Sequence, residues 1–141
     1  VLTFTPRPYI FDLNLLPPYP TIYEKEPTMI DVTSRHEGDV LVLGLKGKLI
    51  GEPMSAKFSE AVQAAIDKGE RKVVLDFSGV DWINSSGISM LLTAREKLQL
   101  ARSKMRLAAI NPSVKGVISM SKMDLVFEIH PSAEEAVRSF A

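Results

Sequence analysis

The sequence contains no cysteine. Disulfides, thiol catalysis and cysteine-ligated zinc are therefore excluded, and the absence suits a reducing cytoplasm. It also lacks a charge excess, because 17 Lys and Arg residues balance 17 Asp and Glu. That removes the electrostatic signature of a nucleic-acid binder and argues against a polybasic membrane surface. No apolar run is long enough to span a bilayer. Histidine is scarce. His36 and His130 lie far apart with no metal-ligand spacing around them, so both read as ordinary strand-end or surface residues, and neither a metal nor a cofactor is expected. What remains, 45% hydrophobic and 24% charged residues in a chain of 141, is the profile of one globular domain with its own core.

The stretch 1–28 differs from the rest. It holds six of the nine prolines (Pro6, Pro8, Pro17, Pro18, Pro20 and Pro27), has no glycine and shows no sustained periodicity. Such a composition favours extended, polyproline-like backbone. The apolar piece Tyr9 to Leu16 is interrupted by Asp12 and Asn14 and has no basic leader, so it does not read as a signal peptide. Either Met29 is the natural start and residues 1–28 are a non-native extension, or the stretch is a tail whose Phe4, Tyr9, Ile10, Phe11, Leu15 and Leu16 dock on the domain or on a neighbouring copy. Proline-rich segments seldom carry a core, so a disordered or accessory tail is expected.

From Met29 the text becomes regular. Met29 to Arg35 reads as a strand, His36-Glu37-Gly38-Asp39 as a turn, and Val40 to Lys48 as a second strand; the short gap implies an antiparallel hairpin. Gly51-Glu52-Pro53 closes that region, with Pro53 near the first position of a helix. Met54, Phe58, Ala61, Val62, Ala65 and Ile66 recur there at helical spacing, and Gly69 is a natural stop. Val73 to Phe77 is a near-continuous apolar strand, the kind buried on both faces of a sheet. Ser78-Gly79-Val80-Asp81 reads as a turn. Ile88 to Ala101 is a helix with Ile88, Leu91, Leu92, Ala94, Leu98 and Ala101 on one face. Met105 to Ile110 is a strand, and Asn111-Pro112-Ser113 offers an N-cap for a helix through about Met120. Leu125 to Ile129 is the last strand. Ser132 to Phe140 is a terminal helix, with Ser132 and Glu135 at capping-box spacing. The order β-β-α-β-α-β-α-β-α predicts a single α/β domain, a mixed sheet of about five strands with about four helices. Its helix-linked strands should be parallel with right-handed crossovers.

The most informative segment is Trp82-Ile83-Asn84-Ser85-Ser86-Gly87. It places two serines at a strand-to-helix junction. A helix N-terminus carries unpaired N–H donors and a partial positive charge, so it accommodates an added phosphate. No histidine, cysteine or acid pair stands nearby in sequence to activate either serine, and the segment reads as one built to be modified or recognised. On local spacing alone the serines could instead simply cap the helix. Gly87, just inside the helix, costs about 1 kcal/mol relative to alanine. Close approach of another backbone, or room for a kinase to reach Ser86, would account for it. A serine-nucleophile enzyme would need a general base close in space. Neither histidine falls in a triad context and the flanks lack the Gly-x-Ser-x-Gly elbow, so no enzymatic activity is expected.

Asn84-Ser85-Ser86-Gly87 with Ile88, following Val73-Val74-Leu75-Asp76-Phe77, resembles the Asp-Ser-Ser-Gly signature of bacterial anti-sigma factor antagonists, members of the STAS-domain family. Gly44-Leu45-Lys46-Gly47-Lys48-Leu49 and Ala109-Ile110-Asn111-Pro112-Ser113-Val114 fit as well. The resemblance covers Met29 to Ala141 and implies a STAS domain over 29–141. It further implies partner switching. The unphosphorylated antagonist binds an anti-sigma factor that is also a serine kinase, and so frees the sigma factor. The kinase, which holds the ATP, phosphorylates the serine before the glycine, here Ser86 with Ser85 as the fallback. A PP2C-type phosphatase reverses the change. Trp82, Ile83, Asn84, Ser85, Ser86 and Gly87 would form the partner-binding segment. The family's aspartate is Asn84 here. It can still cap the helix through its carbonyl, but it removes a negative charge beside the modified serine. A second task on the same fold is a STAS scaffold subunit of a stressosome or of a lipid or anion transport complex; the intact Ser85-Ser86-Gly87 favours the phosphorylated switch.

Val117, Ile118, Met120 and Met123 are expected to pack on the sheet rather than to form a binding face. Trp82 either anchors a partner or closes the end of the sheet. Arg95, Lys97, Arg102, Lys104 and Arg106 form a loose basic group, read as a solvated face.

Overall fold

A computed structural model describes residues 29–141; the expectations for the proline-rich stretch 1–28 fall outside the described residues. Strand β1 (Asp31–Glu37) pairs antiparallel with β2 (Val40–Leu49) across the Gly38-Asp39 turn. Helix α1 (Ala56–Asp67), strand β3 (Lys72–Ile83), helix α2 (Ser85–Leu100), strand β4 (Lys104–Ala108), helix α3 (Pro112–Met120), strand β5 (Ile129–His130) and helix α4 (Ala133–Arg138) follow. The five strands lie in chain order, and β2 to β5 are all parallel. The expected β-β-α-β-α-β-α-β-α mixed sheet is thus the observed one.

Alternation along the central strands decides which helix goes where. Leu41, Leu43 and Leu45 of β2 and Val73, Leu75 and Phe77 of β3 share one face, and all are buried with Phe58, Val62, Leu91, Leu98, Val114 and Ile118 of α1, α2 and α3. Val40, Val42, Val74 and Ala108 point the other way, where Ala133 and Ala136 of α4 cover them. Cover on both faces is why β2 and β3 read as continuous apolar runs rather than alternating ones.

Several boundaries differ from the sequence reading. Ser78-Gly79-Val80-Asp81 is not a turn: β3 continues through it to Ile83. The pairing with β2 slips twice there, and the Asp76 carboxylate accepts a hydrogen bond from Ser78 N at 2.9 Å. A Cβ on Gly79 would lie 2.8 Å from the Leu45 carbonyl oxygen. Turn-type residues are therefore needed, but at a bulge inside a strand, where the chain bends without reversing. Pro53 does not open α1; it lies in the loop before it, and Ser55 stands at the helix N-cap position. Leu125 to Ile129 is not the last strand. Lys122 takes a left-handed conformation, Met123–Leu125 forms a 3-10 turn, and only Ile129 and His130 reach the ladder. Finally, the first strand begins two residues later than expected, at Asp31, and runs on through His36 to Glu37, both expected in the turn.

Candidate functional site

The junction between β3 and α2 sits at the C-terminal end of the sheet. Ile83, the last residue of β3, is fully buried. Asn84 then leaves the strand with extended backbone, and its side-chain oxygen accepts from Gly87 N at 2.9 Å. The helix is therefore capped by Asn84 and not by the serines, which corrects the reading of Ser85 and Ser86 as caps. Both serines occupy the first turn with exposed side chains. No acidic residue lies in that turn, so the positive end of the helix dipole is left to solvent at the serines.

Gly87 is buried because it faces backbone. A Cβ there would overlap the Leu49 carbonyl oxygen and stand 2.8 Å from Ile83 Cγ1. Of the two explanations open from the sequence, close approach of another backbone is the one observed. It lets the N-terminus of α2 settle against the end of β2.

The sequence reading missed the loop that flanks the serines. Residues 50–55 run beside α2, and Gly51, at φ +99°, lies against Ser86: a Cβ on Gly51 would be 2.9 Å from Ser86 Cβ and 3.6 Å from its Oγ. The loop is held in shape from below. Ser55 is fully buried, and its hydroxyl accepts from Ile50 N at 3.0 Å and donates to the Lys48 carbonyl at 3.3 Å. Asn84 spans the two segments, since its N–H2 group reaches the Ile50 carbonyl at 3.5 Å while its oxygen caps the helix. The available signal was Gly51 itself, a glycine two residues past the end of β2, where a left-handed conformation is common.

The six singled-out residues thus take different places. Ser85 and Ser86 are exposed, Trp82 is 46% exposed on the last stretch of β3 opposite Lys48, and Asn84 is half-buried. Ile83 and Gly87 are buried and support the surface from inside rather than presenting atoms to it. Beside the serines, Glu52, Phe58, Val62, Ser89, Met90 and Thr93 line a groove of about 360 Å3 between α1 and α2. The two histidines bond elsewhere, His36 to Glu70 and His130 to Glu128, each at 2.7 Å. Among the described residues no cluster of His, Asp and Glu suits a metal ion, and no helix is long and apolar enough to cross a membrane. Ile118 is fully buried, and Val117 and Met123 pack against the core, as expected; Met120 does not and is 87% exposed.

A family profile described as STAS domain matches residues 31–136. BtrV of Bordetella bronchiseptica, named provisionally as an anti-sigma factor antagonist, is 29% identical over 101 residues, which is 72% of this chain and 86% of BtrV. The crystal structure of an anti-sigma factor antagonist from Mycobacterium paratuberculosis superposes with a TM-score of 0.72 at 22% identity, over 81% of this chain and 96% of that one. SpoIIAA from Bacillus, in its phosphorylated form, superposes with a TM-score of 0.62 at 18% identity, over 79% of this chain and all of the other. At these identities the structural likeness is one of fold. The profile, however, runs from the first strand into the last helix, and the chain belongs to the STAS-domain family.

Proposed function

We propose that this chain is an anti-sigma factor antagonist, cytoplasmic and without catalytic activity of its own, whose hold on its partner is switched by phosphorylation of Ser86. The observation that carries the reading is the position of Ser86: exposed, in the first turn of a helix capped by Asn84, with no acid in that turn. The likeness to BtrV, a relative named as an anti-sigma factor antagonist, supports the assignment of task.

A phosphoserine adds about −1.5 to −2 charges near neutral pH. Within the domain this is tolerated, since a negative group at a helix N-terminus gains about 0.3–1 kcal/mol, and up to about 2 in favourable geometry. A partner packed over Trp82, Ser85 and Ser86 must instead desolvate the phosphate or meet it with like charge. That costs on the order of several kcal/mol, enough to lower affinity by orders of magnitude. The fold survives modification and the complex does not. The partner is an anti-sigma factor that is also a serine kinase and brings the ATP, and a PP2C-type phosphatase resets the serine. Asn84 is uncharged, so the repulsion that an aspartate at that position would exert on the phosphate is absent.

The test is phosphosite analysis of the protein recovered from its native cells across growth conditions, alongside Ser85→Ala and Ser86→Ala variants. A condition-dependent phosphate on Ser86, lost only in Ser86→Ala, is expected. Phosphate absent from both serines under every condition contradicts the proposal.

A further inference from the structure

The opposite end of the sheet carries a charge pattern that the serine site does not use. Lys72 of β3 and Lys104 of β4 are direct cross-strand partners, an arrangement that is destabilising for like charges. Arg71 and Arg102 stand next to them, and with Arg106, Ser139 and Phe140 these residues line a depression of about 340 Å3. Arg102, Lys104 and Arg106 of the basic group read from the sequence as a solvated face are therefore joined here by Lys72 of β3, by Arg71 just before it and by the end of α4.

The floor of this depression is fixed. The Arg106 guanidinium lies 3.9 Å from the centroid of the Phe140 ring, donates to Ser139 Oγ at 2.6 Å and pairs with Glu128 at 2.8 Å. Lys72 pairs with Asp39 at 2.8 Å. Arg71, Arg102 and Lys104 are exposed and have no acidic partner within 4 Å among the described residues. In a chain whose charges balance overall, three uncompensated cations beside two compensated ones amount to a local field rather than a general excess.

We propose that this recess at the foot of β3 and β4 is a second binding surface, and that it takes an acidic segment of a partner protein. A polyphosphate backbone fits less well. Asp39 and Glu128 lie among the cations and would repel an unbroken line of charge, and the chain has no net positive charge to hold one. A peptide with a few spaced carboxylates can meet Arg71, Arg102 and Lys104 and leave those two acids facing water. The climb of β3 from Lys72 to Ile83 separates the recess from the serines by roughly 35 Å at the usual strand rise. Occupancy of one surface therefore leaves the other open: the unmodified domain can bridge two partners, and the recess can keep its own when Ser86 is modified.

The experiment is an NMR titration of the 15N-labelled full chain with a peptide of glutamates spaced by Gly-Ser, with inorganic phosphate and with a single-stranded hexanucleotide as parallel probes. The expected result is saturable shifts at the amides of residues 71–72, 102–106 and 139–140 with the peptide. Arg71→Gln and Lys104→Gln, both at exposed positions, each weaken binding about two- to five-fold. Lys57→Gln and Lys115→Gln, at exposed positions outside both surfaces, leave the affinity unchanged. Shifts scattered over the remote cations Lys57 and Lys115, an affinity indifferent to Arg71→Gln and Lys104→Gln, or tighter binding of phosphate or of the oligonucleotide than of the peptide would each overturn the proposal. An unchanged spectrum for each variant without peptide keeps a folding defect from being mistaken for lost binding.

Discussion

A side chain on Gly51 would press on Ser86: the first carbon added there falls 2.9 Å from Ser86 Cβ. The residue that carries the proposed switch is thus framed by a loop from the other side of β3, and the frame works only while position 51 has no side chain. Gly51 also adopts φ +99°, a conformation that L side chains rarely take. Gly51→Ala should therefore cost about 1–3 kcal/mol of stability. It should also slow modification of Ser86 relative to wild type once both are assayed fully folded. Urea denaturation and the initial rate of phosphate incorporation read the two effects separately. A variant as stable as wild type and modified at the same rate would show that the loop does not constrain the serine.

Gly87→Ala tests a conflict between two rules. Helix propensity favours alanine by about 1 kcal/mol. Packing opposes it, because the new methyl would overlap the Leu49 carbonyl oxygen and crowd Ile83. Backbone cannot yield as a flexible side chain can, so packing should win, with a net destabilisation of about 1–3 kcal/mol. A rise in melting temperature would mean that the α2 N-terminus is not seated against the end of β2.

Asn84 should tolerate the family's aspartate but not alanine. Asn84→Ala removes the acceptor for Gly87 N and should cost about 1 kcal/mol. Asn84→Asp keeps that acceptor and gains a favourable charge at the helix N-terminus, losing only the long contact to the Ile50 carbonyl at 3.5 Å. Its stability should lie within about 0.5 kcal/mol of wild type. Equal losses in the two variants would show that the long contact matters more than the cap.

One carboxylate provides a pH test away from the switch. A hydrogen bond from Lys72 holds the Asp39 carboxyl below its ordinary value of 3.8. A depressed folded-state value contributes stability that is present above the unfolded value and lost as pH falls through the folded one. Lys72→Gln should return the Asp39 titration toward 3.8 and remove that part of the acid sensitivity below about pH 4. Carboxyl-carbon NMR across pH 2–6 reads this directly, and an unmoved Asp39 midpoint in the variant would contradict the pairing.

Legibility in the sequence followed the range of the interactions. Helix and strand order came from apolar periodicity, which is local, and the α/β architecture followed from it. The capacity of Asn84 and Asn111 to cap was also legible, because each accepts from a residue three positions on. Contacts made across the fold were not. The extension of β3 past Ser78-Gly79 depends on where β2 lies, and the turn-type residues there serve a bulge. Leu125 reads as a strand residue by type, yet it is 82% exposed in a turn that redirects the chain after α3. The role of the 50–55 loop beside Ser86 rests on Gly51 and buried Ser55, two small residues with no periodicity. The proximity of Arg71 and Lys72 to Lys104 depends on strand register, which no local pattern prints.

The central claim is that one phosphate on Ser86 releases a partner without unfolding the domain. The most direct measurement is the calorimetric Kd of the unmodified and the Ser86-phosphorylated full chain for its anti-sigma factor partner, with a thermal melt of each form. The account predicts affinity lower by two orders of magnitude or more on phosphorylation, with melting temperatures that differ by a few degrees at most. Equal affinities, or a phosphorylated chain that loses binding only because it has melted, would contradict it.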